Sequence, residues 1–254
     1  MKYMETAEVF AQETLARDIY SMYLNTERIA KEARPGQFIS VYSQDGASLL
    51  PRPISICETD GSRLRIVYRV VGKGTKEFSG LRQGDRVRIM GPLGNGFPLE
   101  AASGKTALII GGGIGIFPLL ELAKQLEGKK KIVLGYRDQV FMKEAFEACG
   151  QVYVATEDGS QGTKGNVLDA VRENSVKADI IYACGPAPML KGIQAYAAKE
   201  NLEAWISLEE RMACGIGACL ACVRKSKEVD AHTNVHNKRV CKDGPVFRAK
   251  EVEL

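Results

Sequence analysis

The chain has 254 residues, of which 45% are hydrophobic and 26% charged, with a formal net charge of +4. This length suits two or three domains, and the mild charge without a long basic run argues against nucleic acid or a membrane surface as partner. The N-terminal residues contain several acids and no apolar run, and the longest apolar stretch, ALIIGGGIGIFPLL, is too short to span a bilayer. Without a signal sequence or a membrane span, we expect a cytoplasmic protein. In that reducing compartment, clustered cysteines bind metal or carry out redox chemistry more often than they form disulfides.

Residues 1–102 are predicted to form an antiparallel β-barrel. Short segments of strand-like sequence, QFISVYS, LRIVYRVV and DRVRIMG, are separated by the turn-forming RPGQ, TDGS, RQGD and PLGNG. Several short strands with regular turn signals are typical of a barrel or a sandwich.

Two arginines and a Gly-Thr turn in this region form a candidate diphosphate site. Arg52, in RPIS, and Arg69, in IVYRVV, are predicted on neighbouring strands, and Gly74-Thr75 follow at the start of a short helix. Guanidinium groups donate to phosphate oxygens, and the first amides of a helix attract negative charge. Ser55 offers a hydroxyl to the edge of a planar ring. Each residue alone is typical of a surface strand or turn, and only their order ahead of the next domain favours a shared site.

From 103 to 205 the pattern changes to a doubly wound α/β domain. The apolar runs TALIIG, KIVLGY, VYVAT and DIIYACG alternate with the helical patterns FPLLELAKQLEGK and APMLKGIQAYAAKE. Such runs suit parallel strands that are buried on both faces, and their alternation with helices predicts βαβ units.

A glycine-rich loop follows the first of these strands and is a candidate nucleotide site. Its arrangement is G-x-G-x-x-P, which differs from the usual G-x-G-x-x-G fingerprint. A backbone without Cβ can approach a pyrophosphate closely, whereas the alternative is a tight strand-to-helix turn that binds nothing. The candidate residues are Gly111, Gly112, Gly113 and Gly115, followed by Pro118.

Two further residues bear on the nicotinamide nucleotide. Cys184, in YACGPAPM, closes the last apolar run, where ligands bind in open α/β sheets. Its small thiol can face a nicotinamide ring, which makes it the candidate catalytic residue; the alternative is a structural cysteine. No acidic residue closes KIVLGY, and Asp138 just beyond it is either a ribose ligand or a solvated charge. The choice between NAD and NADP therefore stays open.

Residues 206–254 contain the strongest metal-binding signal. Cys214, Cys219 and Cys222 have the spacing C-x₄-C-x₂-C, and Cys241 follows after eighteen intervening residues. This is the plant-type pattern for a 2Fe–2S cluster. Two glycines between the first two cysteines allow backbone angles with which amides can point at the sulfides.

Zinc is the main alternative to the cluster. Cys219 and Cys222 with His232 and His236 read C-x₂-C-x₉-H-x₃-H, and these are the chain's two histidines. The loop is shorter than the about twelve residues of the usual finger, and this interpretation leaves the segment's other two cysteines unexplained. The odd total of seven cysteines argues against a full disulfide framework. The cysteines outside the motifs are interpreted as structural: Cys57 and Cys149.

The ordered motifs RPIS, GGGIGIFPLL and YACGPAPM resemble those of the ferredoxin–NADP reductase superfamily. This resemblance implies a barrel that binds FAD and a second domain that accepts a nicotinamide nucleotide. The C-terminal SLEERMACGIGACLACVRKS and RVCKDGPVF, with PRPISI and GPLGNGFPL, closely resemble the electron-transfer subunits of NAD-dependent (type B) dihydroorotate dehydrogenase over nearly the whole chain.

The second resemblance implies a cofactor set and a partner. The partner is an FMN-containing catalytic subunit that oxidises dihydroorotate to orotate in pyrimidine biosynthesis, with two copies of each subunit in a heterotetramer. One departure from the family is that the stretch between Cys222 and Cys241 is long and basic. The implied cluster ligands are Cys214, Cys219, Cys222 and Cys241. The implied FAD-binding residues are Arg52, Pro53, Ile54, Ser55, Val67, Tyr68, Arg69, Gly74 and Thr75.

The order of the predicted regions describes an electron carrier. NAD exchanges two electrons together, whereas a 2Fe–2S cluster accepts one at a time, so a flavin must stand between them. In the direction of pyrimidine synthesis electrons run from the partner's FMN through the cluster to FAD and NAD⁺. No side chain resembles a general base for dihydroorotate, which assigns that chemistry to the partner. Ile216 and Leu220, between the cysteines, are candidates for the surface that a partner covers.

Two other functions stay open. The same architecture serves as the small FAD/2Fe–2S subunit of a sulfide dehydrogenase or of a ferredoxin–NADP reductase complex. The chain can also be a redox sensor that binds flavin and cluster without turnover.

Overall fold

The computed structural model describes residues 1–46, 48–229 and 234–254, which form two compact units. The barrel unit consists of Met1–Gly96, Glu209–Val223 and Arg239–Pro245, and the sheet unit of Phe97–Leu208, Arg224–Lys238 and Val246–Leu254. All four cysteines of the C-x₄-C-x₂-C…C pattern therefore fold together with the barrel. The three regions 1–102, 103–205 and 206–254 are defined by the cofactor that each would bind, and they stay predictions.

Six antiparallel strands form the predicted barrel, closed in the order β1-β2-β5-β4-β3-β6. Side chains alternate between the two faces of each strand, so Ile39 and Val41 point into the core while their neighbours point outward. Two short helices, α1 (Ile29–Glu32) and α2 (Lys73–Phe78), connect strands. The strands are β1 (Tyr3–Ala16), β2 (Ile19–Asn25), β3 (Phe38–Val41), β4 (Arg52–Asp60), β5 (Arg63–Arg69) and β6 (Arg86–Leu93).

The sheet unit contains the predicted α/β sheet, with seven strands in the order β10-β9-β8-β7-β11-β12-β15. All neighbours are parallel except β12 and β15, which are antiparallel. The strands are β7 (Ala107–Gly112), β8 (Lys130–Tyr136), β9 (Gln151–Thr156), β10 (Thr163–Lys164), β11 (Ile180–Cys184), β12 (Glu203–Ser207) and β15 (Val246–Arg248). A separate two-stranded ribbon is formed by β13 (Val223–Lys225) and β14 (Asn237–Arg239).

Four helices accompany the sheet: α3 (Leu119–Gln125), α4 (Lys143–Glu147), α5 (Val167–Glu173) and α6 (Ala187–Lys199). Short 3₁₀ turns occur at Leu99–Ala102, Gly113–Ile116 and Ala249–Glu251. The chain builds β8 and β9 on one side of β7 and then returns to place β11 on the other side. Ligands bind at such a switch point in open α/β sheets. No helix in the described parts of the chain is long and apolar enough to cross a bilayer.

Helix α3 is shorter than the predicted pattern FPLLELAKQLEGK. It begins after Pro118, because the preceding Gly113–Ile116 forms a 3₁₀ turn. It ends where Leu126 adopts an extended conformation and buries its side chain. The helix is shorter than predicted because Leu126 is buried in an extended conformation instead of continuing the helical pattern.

Candidate metal centre and cofactor sites

The loop from Cys214 to Cys219 directs backbone amides at one thiol. The N–H groups of Ile216, Ala218 and Cys219 donate to Cys214 Sγ over 3.5, 3.3 and 3.4 Å. Partial burial opposes ionisation of Cys214, but bonds from these amides and from the Cys219 thiol outweigh it and lower its pKa to about 6. The loop turns through left-handed angles at both of its glycines, Gly215 (φ +68°) and Gly217 (φ +88°).

The four cysteines of the motif form two thiol pairs. The thiols of Cys214 and Cys219 are hydrogen-bonded to each other, as are those of Cys222 and Cys241. The Cys241 N–H also donates to Cys222 Sγ over 3.4 Å. Burial, followed by the bond to Cys222 and the charge on it, raises the pKa of Cys241 to about 12. Each iron of a four-cysteine 2Fe–2S cluster takes two thiolates, so two thiol pairs match this donor set.

The described residues include three of the four ligands in the zinc hypothesis: Cys219, Cys222 and His236. Within residues 1–46, 48–229 and 234–254, no group of three or more histidine, cysteine or acidic side chains is arranged to hold a metal ion. Of the two histidines in the zinc hypothesis, His232 lies outside the described residues. His236 belongs to the sheet unit, and its Nδ1 lies 3.2 Å from the Ser226 carbonyl oxygen.

In the iron-free chain, Cys214 is expected to react with iodoacetamide near neutral pH far faster than Cys241. A pKa of about 6 makes Cys214 mostly thiolate there, whereas a pKa of about 12 keeps Cys241 protonated. Because the pKa of Cys214 is lowered, its labelling rate should rise between about pH 5 and 7 and then level off. Peptide mass spectrometry measures both rates. A Cys214 midpoint near that of a free thiol, about 8.5, would contradict the described hydrogen bonds.

The cysteine loop packs on the outer face of barrel strand β3. Phe38 and Ser40 alternate with the core residues of β3 and face outward, yet they are only 3% and 1% exposed. A Cβ added to Gly215 would lie 2.9 Å from Ser40 Oγ and 4.0 Å from Phe38 Cε2. The loop therefore covers this face, and glycine at 215 is needed for close packing as well as for its backbone angle.

Strand β4 presents predicted flavin residues beside the cysteine loop. Phe38 is paired with Ser55, and Ser40 with Pro53, across the β3–β4 ladder. Ile54, between them, packs against the barrel core, so Pro53 and Ser55 share the outward face of Phe38 and Ser40. Neighbouring strands lie about 4.8 Å apart. The structure thus brings the cysteine loop and part of the RPIS motif together on one face of two adjacent strands.

Arg52 and the start of α2 form one cradle. A Cβ added to Gly74 would lie 2.6 Å from Arg52 Nε, so the guanidinium rests on the Gly74 backbone. Thr75 Oγ1 accepts hydrogen bonds from the N–H groups of Val71 and Gly72 over 3.0 and 3.2 Å. The Thr75 hydroxyl therefore stabilises the turn itself. The first amides of any helix have no partner inside it, so those of α2 can bind an anion beside the guanidinium. The residues present fit a diphosphate.

The predicted residues of β5 point to opposite faces. Tyr68 lies in the barrel core, where it contacts Phe78 edge to face at 6.3 Å and donates to Gln12 Oε1 over 2.9 Å. Burial raises the pKa of Tyr68. Val67 and Arg69 alternate to the outer face, and Arg69 is exposed at the strand end. A cofactor contact by Tyr68 would therefore fall to its backbone.

Substituting Gly74→Ala is expected to weaken FAD binding about tenfold without unfolding the barrel. The added methyl group meets the flexible end of Arg52 rather than backbone, so the guanidinium moves and its phosphate bonds are lost. Gly72→Ala is the matched control, because no atom lies within 4 Å of its added Cβ. FAD titration by fluorescence measures the effect. Equal FAD affinities of the Gly74→Ala and Gly72→Ala variants would contradict the assignment of the diphosphate to this cradle.

The glycine loop and the Cys184 segment pack together in the sheet unit. Gly111 and Cys184 are register partners at the carboxyl ends of parallel strands β7 and β11. A Cβ at Gly115 would lie 2.5 Å from the Cys184 carbonyl oxygen. Similar contacts occur at Gly112, 2.4 Å from Met189 Sδ, and at Gly111, 2.8 Å from Ile116 Cγ1. Close packing therefore favours glycine at these three positions, as the tight strand-to-helix turn of the sequence analysis would, whether or not the loop also binds phosphate.

Gly113 is the glycine of this loop that is open to a ligand. It has a left-handed φ of +55°, and nothing lies within 4 Å of an added Cβ. Cys184, at the end of β11, is partly exposed. Asp138 is exposed after β8, as a solvated loop charge would be.

A side-chain pair that the sequence analysis missed braces the Cys241 turn. Arg239 and Asp243 form two parallel contacts, Nε to Oδ2 and Nη2 to Oδ1, each 3.0 Å. Arg239 Nη1 also donates to the Gly217 carbonyl over 3.4 Å, which ties the turn to the first cysteine loop. The signal was the four-residue spacing of opposite charges around the cysteine in RVCKD.

Known proteins match the chain in both sequence and structure. A model of the iron-sulfur cluster binding domain of dihydroorotate dehydrogenase B matches residues 209–253. The dihydroorotate dehydrogenase B (NAD(+)) electron transfer subunit of Caldanaerobacter subterraneus subsp. tengcongensis is 45% identical over 99% of this chain and 99% of its own length. That of Bacillus caldolyticus is 46% identical over 98% of each chain. The chain belongs to the family of dihydroorotate dehydrogenase B electron transfer subunits.

Structural comparison agrees with this membership. The structure of an NADH-dependent reduced ferredoxin-NADP oxidoreductase has a TM-score of 0.85 and 30% identity, covering 98% of this chain and 90% of its own. The ferredoxin reductase of carbazole 1,9a-dioxygenase, at 22% identity and a TM-score of 0.67 over 79% of this chain and 67% of its own, shares the fold.

Membership in the dihydroorotate dehydrogenase B electron transfer family confirms several predictions. The barrel and the α/β sheet are those expected of the ferredoxin–NADP reductase superfamily, and the C-terminal iron–sulfur segment is that expected of the dihydroorotate dehydrogenase B family. The chain is an electron-transferring oxidoreductase subunit, with FAD, a 2Fe–2S cluster and NAD as its cofactors. As a subunit, it has a catalytic partner.

Proposed function

We propose that this chain transfers electrons between NAD and an FMN-containing subunit that oxidises dihydroorotate, using FAD in the barrel and a cluster on the four paired cysteines. The observation that carries the proposal is the shared outer face of β3 and β4. There the cysteine loop lies on Phe38 and Ser40, whose register partners are Ser55 and Pro53. The residues that would hold the flavin ring and the loop that would hold the cluster thus share one face of two adjacent strands, an arrangement that would suit direct electron exchange.

The barrel residues bind and orient FAD in this proposal. Arg52 and the first amides of α2, at Gly74 and Thr75, hold the diphosphate. Pro53 and Ser55 line the ring from their shared outward face, with the Ser55 hydroxyl at its edge, and Ile54, whose side chain packs against the core, contributes through its backbone. From β5, Val67 and Arg69 contribute from the outer face and Tyr68 through its backbone. When bound, FAD supplies the change between hydride and single-electron transfer.

The cysteine pairs divide the cluster between them in this proposal. Cys214 and Cys219 hold one iron, and Cys222 and Cys241 hold the other. Two large apolar side chains among these ligands, Ile216 and Leu220, are 40% and 53% exposed. We assign this exposed apolar surface to contact with the catalytic partner, because it adjoins the exposed Cys219, a proposed cluster ligand.

The remaining assignments concern the nucleotide, the assembly and the compartment. NAD(H) binds at Gly113, with the nicotinamide next to Cys184. The assembly contains two copies of each subunit, and the reducing cytoplasm keeps the four thiols available for iron. The regions 1–102, 103–205 and 206–254 correspond to the FAD, NAD and cluster functions.

Co-expression with a candidate catalytic partner tests the proposal. The purified complex should contain flavin and about two irons per copy of this chain, and it should reduce NAD⁺ with dihydroorotate. The isolated chain should reduce a dye with NADH but form no orotate. Orotate formation by the isolated chain, or absence of NADH–dye activity from a fully loaded chain, would overturn the proposal, and the second result would favour a sensor.

A second candidate is a subunit of a complex like the NADH-dependent reduced ferredoxin-NADP oxidoreductase. Its support is 30% identity over 98% of this chain, against 45% for the dihydroorotate dehydrogenase relative. Reduced ferredoxin and dihydroorotate, offered to the same purified complex, distinguish the two.

A further inference from the structure

One barrel residue holds three consecutive carbonyls of the turn that follows Cys241. Asn95 Nδ2 donates to the carbonyl oxygens of Lys242 and Asp243 over 3.1 and 3.0 Å. Its backbone N–H donates to the Gly244 carbonyl oxygen over 2.6 Å. The contact joins residues that are 147 to 149 positions apart in sequence, so it fixes the turn to a distant part of the barrel unit.

Asn95 lies two residues beyond β6, the strand that pairs with β3 beneath the cysteine loop. It follows β6, whose last residue, Leu93, is the register partner of Phe38 on β3. A Cβ at the intervening Gly94 would lie 2.5 Å from Pro245 Cδ, so no side chain fits between the strand end and the turn. The Cys241 turn is therefore seated on the barrel at the point where β6 ends.

The other backbone bonds described for this turn stay within its own segment. The N–H groups of Lys242, Asp243 and Gly244 all donate to the Arg239 carbonyl, over 3.0, 2.7 and 3.3 Å. Those bonds shape the turn but do not fix it to the barrel. Metal ligands need such outer contacts to hold their orientation, and losing them commonly weakens a site about ten- to a hundredfold.

We propose that Asn95 is a positioning residue for the 2Fe–2S cluster: it anchors the Cys241 turn to the end of β6 and so keeps the Cys222–Cys241 pair in register with the cysteine loop on β3. This inference rests on the cluster ligands of the proposed function. Asn95 touches the turn and no cysteine, so it acts through Cys241.

The isosteric substitution Asn95→Asp tests the inference. The carboxylate keeps the size of the side chain, but it cannot donate and it repels the two carbonyl oxygens. Asn95 is exposed, so the variant should fold. Loss of two hydrogen bonds should speed iron release to a chelator about tenfold and alter the electron paramagnetic resonance spectrum of the reduced cluster. FAD content should be unchanged.

Gln37→Glu is the matched control. Gln37 Nε2 donates to the carbonyl oxygen of Gly94, the residue before Asn95, over 2.7 Å. The same amide-to-acid change is therefore made next to Asn95, at a side chain that does not bond to the Cys241 turn. Asn95→Ala, which removes the donor without adding charge, should reproduce faster iron release. If Asn95→Asp and Asn95→Ala both match Gln37→Glu in release rate and spectrum, the inference is wrong. A wild-type chain that binds no 2Fe–2S cluster overturns the proposed ligands and this inference together.

Discussion

Substituting Cys219→Ser is expected to abolish electron transfer between this chain and its catalytic partner while leaving FAD reduction by NADH intact. Cys219 is one member of the first thiol pair, and its N–H and thiol also bond to Cys214. Loss of an outer contact costs a metal site about ten- to a hundredfold, so loss of a ligand should exceed the upper end of that range. Because Cys219 is exposed, the barrel should remain folded.

Iron content, the visible spectrum and NAD⁺ reduction by dihydroorotate in the assembled complex measure this effect, and NADH–dye activity reports the flavin. Cys149→Ser is the matched control, since its Sγ lies 3.5 Å from the Ala145 carbonyl oxygen in the sheet unit and it belongs to no metal motif. A Cys219→Ser complex with unimpaired dihydroorotate activity would show that electrons leave the chain by another route.

Substituting Gly115→Ala is expected to destabilise the sheet unit by about 3 kcal/mol, at the upper end for overpacking. The added methyl group would lie 2.5 and 2.6 Å from the carbonyl oxygen and carbon of Cys184 and 2.6 Å from Gly185 Cα. These are backbone atoms, so relief requires the 3₁₀ turn Gly113–Ile116 and the end of β11 to separate. The same separation should weaken NADH binding.

Two glycines serve as controls for this prediction. Gly192→Ala, within α6, places its Cβ 3.4 Å from Leu168 Cδ1, and the gain in helix propensity of about 1 kcal/mol should offset that contact. Gly113→Ala meets open space, but its φ of +55° should cost about 1 to 2 kcal/mol. Thermal denaturation ranks the three variants. A Gly115→Ala melting temperature no lower than that of Gly113→Ala would contradict the described packing.

Short local sequence patterns predicted the fold class of both units and the candidate cluster loop. The buried apolar run ending in Gly111 required a parallel strand, and the C-x₄-C-x₂-C spacing required a tight loop with amides directed at sulfur. Both predictions depend on local geometry, in which neighbours in sequence are neighbours in space. The RPIS motif was also found from the sequence, but by its position ahead of the glycine loop.

Features that depend on strand register and distant contacts were not predictable from these patterns. Phe38 and Ser40 carry no sign that a loop from residues 214–219 covers them, because nothing local distinguishes an outward barrel position from a buried one. Asn95 reads as an ordinary turn residue in PLGNG. For Gly115 the sequence left phosphate binding and a tight turn open, and only the folded chain shows the Cys184 backbone that its position must avoid.

The alternation of the C-terminal chain between the two units has a consequence for biogenesis. Residues Arg239–Pro245 complete the barrel unit, and Val246–Leu254 supply the antiparallel edge strand of the sheet unit. A ribosome releases the chain from its N-terminus onward, so neither unit has all its parts until residues 239–254 have emerged. A nascent chain that already includes all six barrel strands and six of the seven sheet strands still lacks Cys241. With the proposed ligands, the cluster can therefore be completed only after residue 241 has emerged, and a chain without residues 239–254 would lack parts of both folding units instead of one.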